Sequence, residues 1–544
     1  MSSQDPISGD RPDAPTDGYD AVVAGAGFAG LYLLHRLRSL GLAVRLLEAG
    51  DGVGGTWYWN RYPGARCDVE SIEYSYSFSE ELQQEWEWTE RFAAQPEILR
   101  YLNHVADRFD LRPSIEFGTR VAAASFDEAA SRWLITTQAG AVLSARYFIM
   151  ATGCLSAARK PALPGLESFA GRKWHTGDWP TDGVDFTGQR VGVIGTGSSA
   201  VQAIPIIAAQ ARELTVFQRT ANFQIPARNA PLDPEFVREI KAGYPQFRDR
   251  ARHARGGTVR VLHPESALQV SPELRRERYQ RLWDKGGADI LGSFSDLLTN
   301  AGSNATLAEF FRAKVHQIVR DRQAAELLCG QDYPLGAKRM CLGTDFYETF
   351  NRENVRLVSL RAEPIEEITA AGLRTATRLY ELDSLVLATG FDAMTGALLS
   401  PDIRGRAGRP LRAAWHDGPV TYLGLAAAGF PNFFFITGPG SPSVISNMVV
   451  SIEQHVDWVA DLLAYLDKEG LTEAEATEPA AQAWTDHVNQ VASRTLYPQA
   501  KSWYTGANVP GKPRIFMPYV GGVGEFRRRC DEVAENGYTG FVLR

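Results

Sequence analysis

Two glycine-rich hexapeptides carry the clearest chemistry in this chain, and the residues that follow them have opposite charge. The first, Gly25-Ala26-Gly27-Phe28-Ala29-Gly30, is followed at the end of the next apolar run by Glu48. The second, Gly195-Thr196-Gly197-Ser198-Ser199-Ala200, is followed at the matching place by Arg219. A glycine turn that opens a helix offers unpaired N–H groups and a positive dipole end to a pyrophosphate. An acid one strand later accepts hydrogen bonds from a ribose diol, whereas a base there accommodates a 2′-phosphate, which a guanidinium holds bidentately. The pattern points to two different dinucleotides on one chain, FAD at the first turn and NADPH at the second.

Such turns work only between a strand and a helix. Asp20 to Ala24 reads as a buried strand, and Leu31, Leu34, Leu37 and Leu40 recur at helical spacing behind it. Ala43 to Leu47 is the next strand. Gly25 is expected to make the tight turn, Gly27 to admit the pyrophosphate and Gly30 to let the helix lie against the strand. Arg190 to Ile194 and Leu214 to Phe217 repeat the arrangement around the second turn. Strand, glycines, helix, strand and charged residue in order are far more specific than the glycines alone.

At 544 residues the chain is too long for one core, and two or three domains are expected. The formal net charge of −7 argues against a nucleic-acid surface. The basic stretches Arg275-Arg276-Glu277-Arg278 and Arg527-Arg528-Arg529 are short and read as solvated helix faces. Five cysteines, Cys67, Cys154, Cys329, Cys341 and Cys530, form no C-x-x-C pair and no metal-ligand spacing, so no metal is expected and a reducing cytoplasm is. No signal peptide and no run long enough to span a bilayer is visible.

Phe148-Ile149-Met150 and Leu385-Val386-Leu387 both run into the tripeptide Ala-Thr-Gly, at Ala151 and Ala388, where backbone can approach a nucleotide closely. The simplest topology is nested: an α/β chain with two Rossmann-like dinucleotide-binding domains, the second inside the first. Residues 1–18 are expected to be a disordered tail. Residues 19–153 and 388–544 form the FAD domain, 154–222 and 336–387 the NADPH domain, and 223–335 a helical insertion that caps the cleft. Helical periodicity in Leu274 to Trp283 and Leu307 to Val319 marks the insertion. A helix from about Asn447, with Val449, Ile452, Val456 and Val459 on one face, points its N-terminus at the flavin ring.

Between the two turns lies Phe169-Ala170-Gly171-Arg172-Lys173-Trp174-His175-Thr176-Gly177-Asp178-Trp179-Pro180. It fits F-x-G-x-x-x-H-x-x-x-W-P and resembles the fingerprint of type I Baeyer–Villiger monooxygenases. Flavin-dependent N- and S-monooxygenases are similar but lack the Trp-Pro ending. Gly54-Gly55-Thr56-Trp57, Tyr62-Pro63-Gly64 with Asp68, and Ser502 to Lys512 also resemble this family, so the likeness runs from about residue 19 to the end. The phenylacetone and steroid monooxygenase branch is the most similar.

The resemblance implies FAD, NADPH and insertion of one oxygen atom of O2 beside a ketone carbonyl through a flavin C4a peroxide, giving an ester or lactone. It places Thr56, Trp57, Asp68, Tyr74, Val121 and Met448 beside Gly25, Gly27, Phe28, Gly30 and Glu48 at FAD. It places Thr196, Gly197, Ser198, Ser199, Gln202, Arg219, Thr220, Lys338, Arg339 and Trp503 at NADP(H). Arg339 matches the family's active-site arginine, and a cation beside the peroxide must stay charged; Asp68 matches the carboxylate that holds it. His175 becomes a linker residue between domains, with Phe169, Gly171, Trp179 and Pro180 completing the fingerprint. Cys154, Leu155, Ser443, Val444, Ile445 and Met517 are the expected pocket for a hydrophobic aryl, cyclic or steroid-like ketone. Thr56 and Cys154 depart from the phenylacetone branch, which leaves the reaction class intact but the ketone open. The alternative is an N- or S-monooxygenase. A small-molecule enzyme is expected, a monomer or loose homo-oligomer, with no nucleic-acid or membrane partner.

Overall fold

The structure, a computed structural model, describes residues 18–544. All of the expected tail except Gly18 lies outside the described residues. The apolar run after Tyr19 is β1 (Tyr19–Ala24), buried at every position but Asp20. Next come β2 (Val44–Leu47), β3 (Ile115–Glu116), β4 (Val121–Asp127), β5 (Arg132–Thr137) and β6 (Val142–Met150). β1 lies parallel between β2 and β6, with Val23 opposite Leu46 and Ile149. A strand covered on both faces reads as continuous apolar sequence, which is why this one was legible. The helix Phe28–Ser39 joins β1 to β2 and buries Leu31, Leu34 and Leu37; Leu40 is its C-cap, one residue past the end. The late helix Met448–Lys468 lies over it, and the Tyr32 hydroxyl donates to Asp457 Oδ1 at 2.5 Å.

The second sheet lies within the first in sequence. Its region contains β7 (Arg172–His175), β8 (Arg190–Ile194), β9 (Glu213–Gln218), β10 (Gln224–Pro226), β11 (Cys341–Gly343), β12 (Val355–Ser359), β13 (Ile365–Thr369), β14 (Gly372–Thr375), β15 (Leu379–Glu381) and β16 (Ser384–Leu387). The order β12-β9-β8-β16-β7 is parallel throughout, with the helix Ser198–Gln210 crossing from β8 to β9. β17 (Asp402–Arg404) and β18 (Phe433–Phe435) then return to the first sheet and pair parallel with β4 and β6. That sheet has eight strands, β17-β4-β5-β6-β1-β2-β3 with β18 beside the end of β6.

The repeated Ala-Thr-Gly has a packing cause. Ala151 N–H donates to Ala24 O at 2.8 Å and Ala388 N–H to Ile194 O at 3.0 Å. Gly25 and Gly195 have φ +103° and +112°. A Cβ on them would stand 2.8 Å from Ala151 O and 2.5 Å from Ala388 O. In each unit the same carbonyl is pressed against the same glycine, so the turn needs glycine for both its dihedral and its space.

Residues 223–335 are not wholly helical, because they begin with β10, which pairs with β11. They are also divided between two cores. Val237, Tyr244 and Phe247 join the core of the first sheet, while Tyr279, Trp283, Leu307 and Phe311 join that of the second.

Candidate active site

One cavity of about 1970 Å³ is lined by both turns, by Glu48 and Arg219, and by Asp68, Arg339 and Trp503 between them. Gly27 and Gly197 are the N-caps of the two crossover helices, and neither helix start receives a side-chain cap. Their first-turn N–H groups are left for an anion, as a pyrophosphate requires. Gly30 does not line the cavity; a Cβ there would sit 1.8 Å from Gly25 O, so it serves the approach of helix to turn. Ala200 holds the matching place in the second turn and is fully buried. Glu48 is 4% exposed; its Oε2 accepts from Ala26 N at 2.6 Å and its Oε1 from Gly50 N at 2.8 Å. Both oxygens keep lone pairs for a ribose diol. Phe28, Thr56, Trp57, Tyr74, Val121 and Met448 line the same space, and Trp57 Nε1 donates to the Tyr74 hydroxyl at 3.2 Å. The N-terminus of the helix Met448–Lys468 is already capped, Asn447 Oδ1 accepting from Val449 N at 3.2 Å.

At the second turn Thr196, Ser198, Ser199, Gln202, Thr220 and Lys338 also line the cavity. Gln202 ties the turn to the first unit: its Oε1 accepts from Tyr62 OH at 2.9 Å and its Nε2 donates to Arg66 O at 3.1 Å. Arg219 is exposed. Lys338 Nζ lies 4.1 Å from the centre of the Tyr333 ring. Burial pushes its amine down to about 8; Asp332 opposes the shift, and Arg219 and Arg361 add to it.

Between the turns, Arg339 Nε donates to Asp68 Oδ2 and Nη2 to Asp68 Oδ1, both at 2.6 Å. Nη1 donates to Val444 O. Of five guanidinium donors, two are left over. Burial pushes the Asp68 carboxyl up, but the Arg339 charge outweighs it and holds the group below its usual value. Burial would likewise lower Arg339, and Asp68 more than reverses this, raising it. The result is a fixed cation that does not give up its proton.

His175 is 7% exposed. Its Nδ1 accepts from Gly177 N at 3.0 Å, which leaves Nε2 to donate to Arg159 O at 3.1 Å. Burial lowers its affinity for a second proton. Thr389 Oγ1 donates to the same Arg159 O at 2.9 Å, and Arg159 N–H donates to Gly390 O at 3.0 Å. His175 thus joins both chain crossings between the sheets. Phe169, Gly171, Trp179 and Pro180 do not line the cavity.

Comparison with known proteins agrees with this geometry. Residues 22–265 match the family model described as pyridine nucleotide-disulphide oxidoreductase. A Baeyer–Villiger monooxygenase of Pseudooceanicola batsensis is 42% identical over 528 residues, covering 96% of each chain. The chain belongs to the type I Baeyer–Villiger monooxygenases. Oxidized steroid monooxygenase bound to NADP superposes with a TM-score of 0.92 at 54% identity, over 96% of this chain and 99% of that one. The OTEMO complex with FAD and NADP gives 0.94 at 43% identity, over 98% and 100%.

In this Baeyer–Villiger monooxygenase, Cys154, Leu155 and Val444 line the cavity, whereas Ser443, Ile445 and Met517 do not. Met517 is 3% exposed and, with Ile445, packs in the apolar cluster behind Cys154 and Val444. Burial pushes the Cys154 thiol up to about 12, so it stays neutral. Of the insertion, residues 223–335, only Asp332 and Tyr333 near its end line the cavity, while the apolar faces of its helices are spent on the two cores. Sequence reasoning missed Arg361, Asp332 and Asn222 on the cavity wall. Lys512, which ends the family-like stretch but was given no role, reaches Asp392 Oδ1 with its Nζ at 2.5 Å and ties the C-terminal loop to the second crossing. No motif marks Arg361, Asp332 or Asn222; only the pairing of β9 with β12 brings Arg361 to Arg219.

Proposed function

We propose that the cavity binds FAD along the first turn and NADPH along the second, and that this enzyme inserts one oxygen atom of O2 beside the carbonyl of a hydrophobic aryl, cyclic or steroid-like ketone. An ester or lactone forms, NADPH becomes NADP+, and the other oxygen leaves as water. The observation that carries this reading is Arg339, clamped by Asp68 where the two turns meet. FAD, when bound, supplies acceptance of hydride and activation of O2. Uncapped helix starts take the pyrophosphates, Glu48 takes a ribose diol, and Arg219, Thr220 and Lys338 take the 2′-phosphate. Arg339 stabilises developing negative charge through its two remaining donors without protonating it. Asp68 fixes the plane of the guanidinium. Trp503, partly buried against Tyr504 at 4.4 Å between ring centres, closes the nicotinamide side. Cys154, Leu155 and Val444 keep the reacting end apolar.

Residues 19–153 with 388–544 serve as the FAD domain, 154–222 with 336–387 as the NADPH domain, and 223–335 as a brace across both. Both turns and the Asp68–Arg339 pair come from one chain, so a monomer suffices. Among the described residues no helix is long and apolar enough to cross a membrane, and five free thiols suit the cytoplasm. The test is mass spectrometry of products after incubation with NADPH, O2 and a ketone panel. A gain of one oxygen as ester or lactone supports the reading; oxygen transferred only to amines or sulfides overturns it.

A further inference from the structure

Arg361 leaves the strand next to Arg219. Ser359 of β12 pairs with Gln218 of β9, and Leu360 N–H donates to Gln218 O at 2.8 Å. Arg361 Nε then donates to Arg219 O at 3.0 Å, and its Nη2 donates to Asp332 Oδ2 at 2.7 Å. All three residues, with Lys338, line the cavity at the second turn. The cluster therefore holds three cations and a single carboxylate, a surplus of positive charge that suits the ~−1.5 to −2 of a phosphate monoester.

A pair as open as this one contributes little to folding, because the Arg361 and Asp332 side chains are 51% and 60% exposed and water screens their attraction. Its placement has a different consequence. Arg361 holds the Arg219 backbone at the strand end and adds a third positive charge. Asp332 restrains Arg361 through one nitrogen and presents the one negative charge that a 2′-phosphate meets. We propose that Arg361 is a positioning and cofactor-selecting residue for NADPH over NADH, and that Asp332 opposes it, keeping the phosphate from being held too tightly to exchange. The inference rests on the second turn being the NADP(H) site.

The two roles make opposite predictions. If the pair is only a structural bridge, Arg361→Ala and Asp332→Asn both break it and act alike. If it selects the cofactor, they diverge. Binding of NADP+ and NAD+ to the FAD-loaded enzyme, measured by calorimetry, reads the difference. Arg361→Ala is expected to weaken NADP+ about tenfold, the loss of one charge-assisted contact, and to leave NAD+ unchanged. Arg361→Lys is expected to recover part of the loss. Asp332→Asn is expected to tighten NADP+ severalfold without affecting NAD+. Equal effects on NADP+ and NAD+, or movement of both variants in the same direction, overturn the proposal. Arg219→Ala separates the two levels. If it lowers NADP+ against NAD+ while Arg361→Ala does not, this inference fails and the site reading stands. If neither changes the ratio, the phosphate lies elsewhere and both fail.

Discussion

The two nucleotide turns share a backbone and differ in what surrounds it. At the first, Glu48 is 4% exposed and held by two backbone donors, the third glycine is sterically obligatory, and the crossover helix lies beneath Met448–Lys468, pinned by Tyr32 and by Arg36, which meets Asp461 at 2.8 Å. At the second, alanine fills the third position. The discriminating charge is an exposed arginine whose guanidinium has no hydrogen bond or ion pair among the described residues. Burial and prior hydrogen bonding make a rigid grip; exposed cations make one that water and salt can loosen. The first turn therefore offers the more rigid grip and the second the looser one.

The largest effect is expected at the seam between them. Arg339→Ala is expected to lower ester formation by about 10²–10³-fold or more, while NADPH still bleaches the flavin in anaerobic stopped-flow. Normal product yield from that variant would remove Arg339 from oxygen insertion. The steric contrast comes next. Gly30→Ala places a carbon 1.8 Å from a carbonyl oxygen and is expected to cost ~3 kcal/mol, seen as a lower melting temperature and lost flavin. The reciprocal Ala200→Gly is expected to cost only ~1 kcal/mol. Equal costs would break the distinction between a tight turn and a tolerant one.

Arg219→Ala is expected to reduce kcat/KM for NADPH by about 10- to 100-fold, the worth of a hydrogen bond to a charged group, and to leave NADH unchanged. The smallest effect concerns pH. The free Lys338 amine loses its proton as pH rises through about 8, while a bound phosphate favours the charged form, so binding takes up a proton. NADP+ affinity is therefore expected to fall above that pH by up to ~10-fold per pH unit. Lys338→Arg should flatten the profile, because arginine does not titrate there; an unchanged profile would assign the titration to another group.

The strands around both turns were legible because β1 and β8 are buried on both faces and the glycines that follow obey local sterics. The return of the chain was legible from the repeated Ala-Thr-Gly, though its cause is a carbonyl packed on a glycine. The insertion was legible only in part. Its helical periodicity is real, but periodicity does not say which core a face will join, and a role over the cleft was read from sequence position alone. Ser443 and Ile445 flank Val444, which lines the cavity, but one residue's shift along the chain turns a side chain from lining to packing, and Met517 packs in the cluster beside them.

The sequence by itself determined the two turns, their opposite charges and the strands that flank them. Each of these follows from short-range sterics and hydrophobic periodicity written into neighbouring residues. The Asp68–Arg339 pair, 271 residues apart, was carried by family likeness alone until the tertiary structure gave its bidentate geometry, and only that structure decided that His175 shares the Arg159 carbonyl with Thr389 and that Arg361 stands beside Arg219. Those contacts depend on which strand lies next to which. Ion pairs and hydrogen bonds act over a few ångströms of space, and no spacing in the chain records them until the sheets have formed.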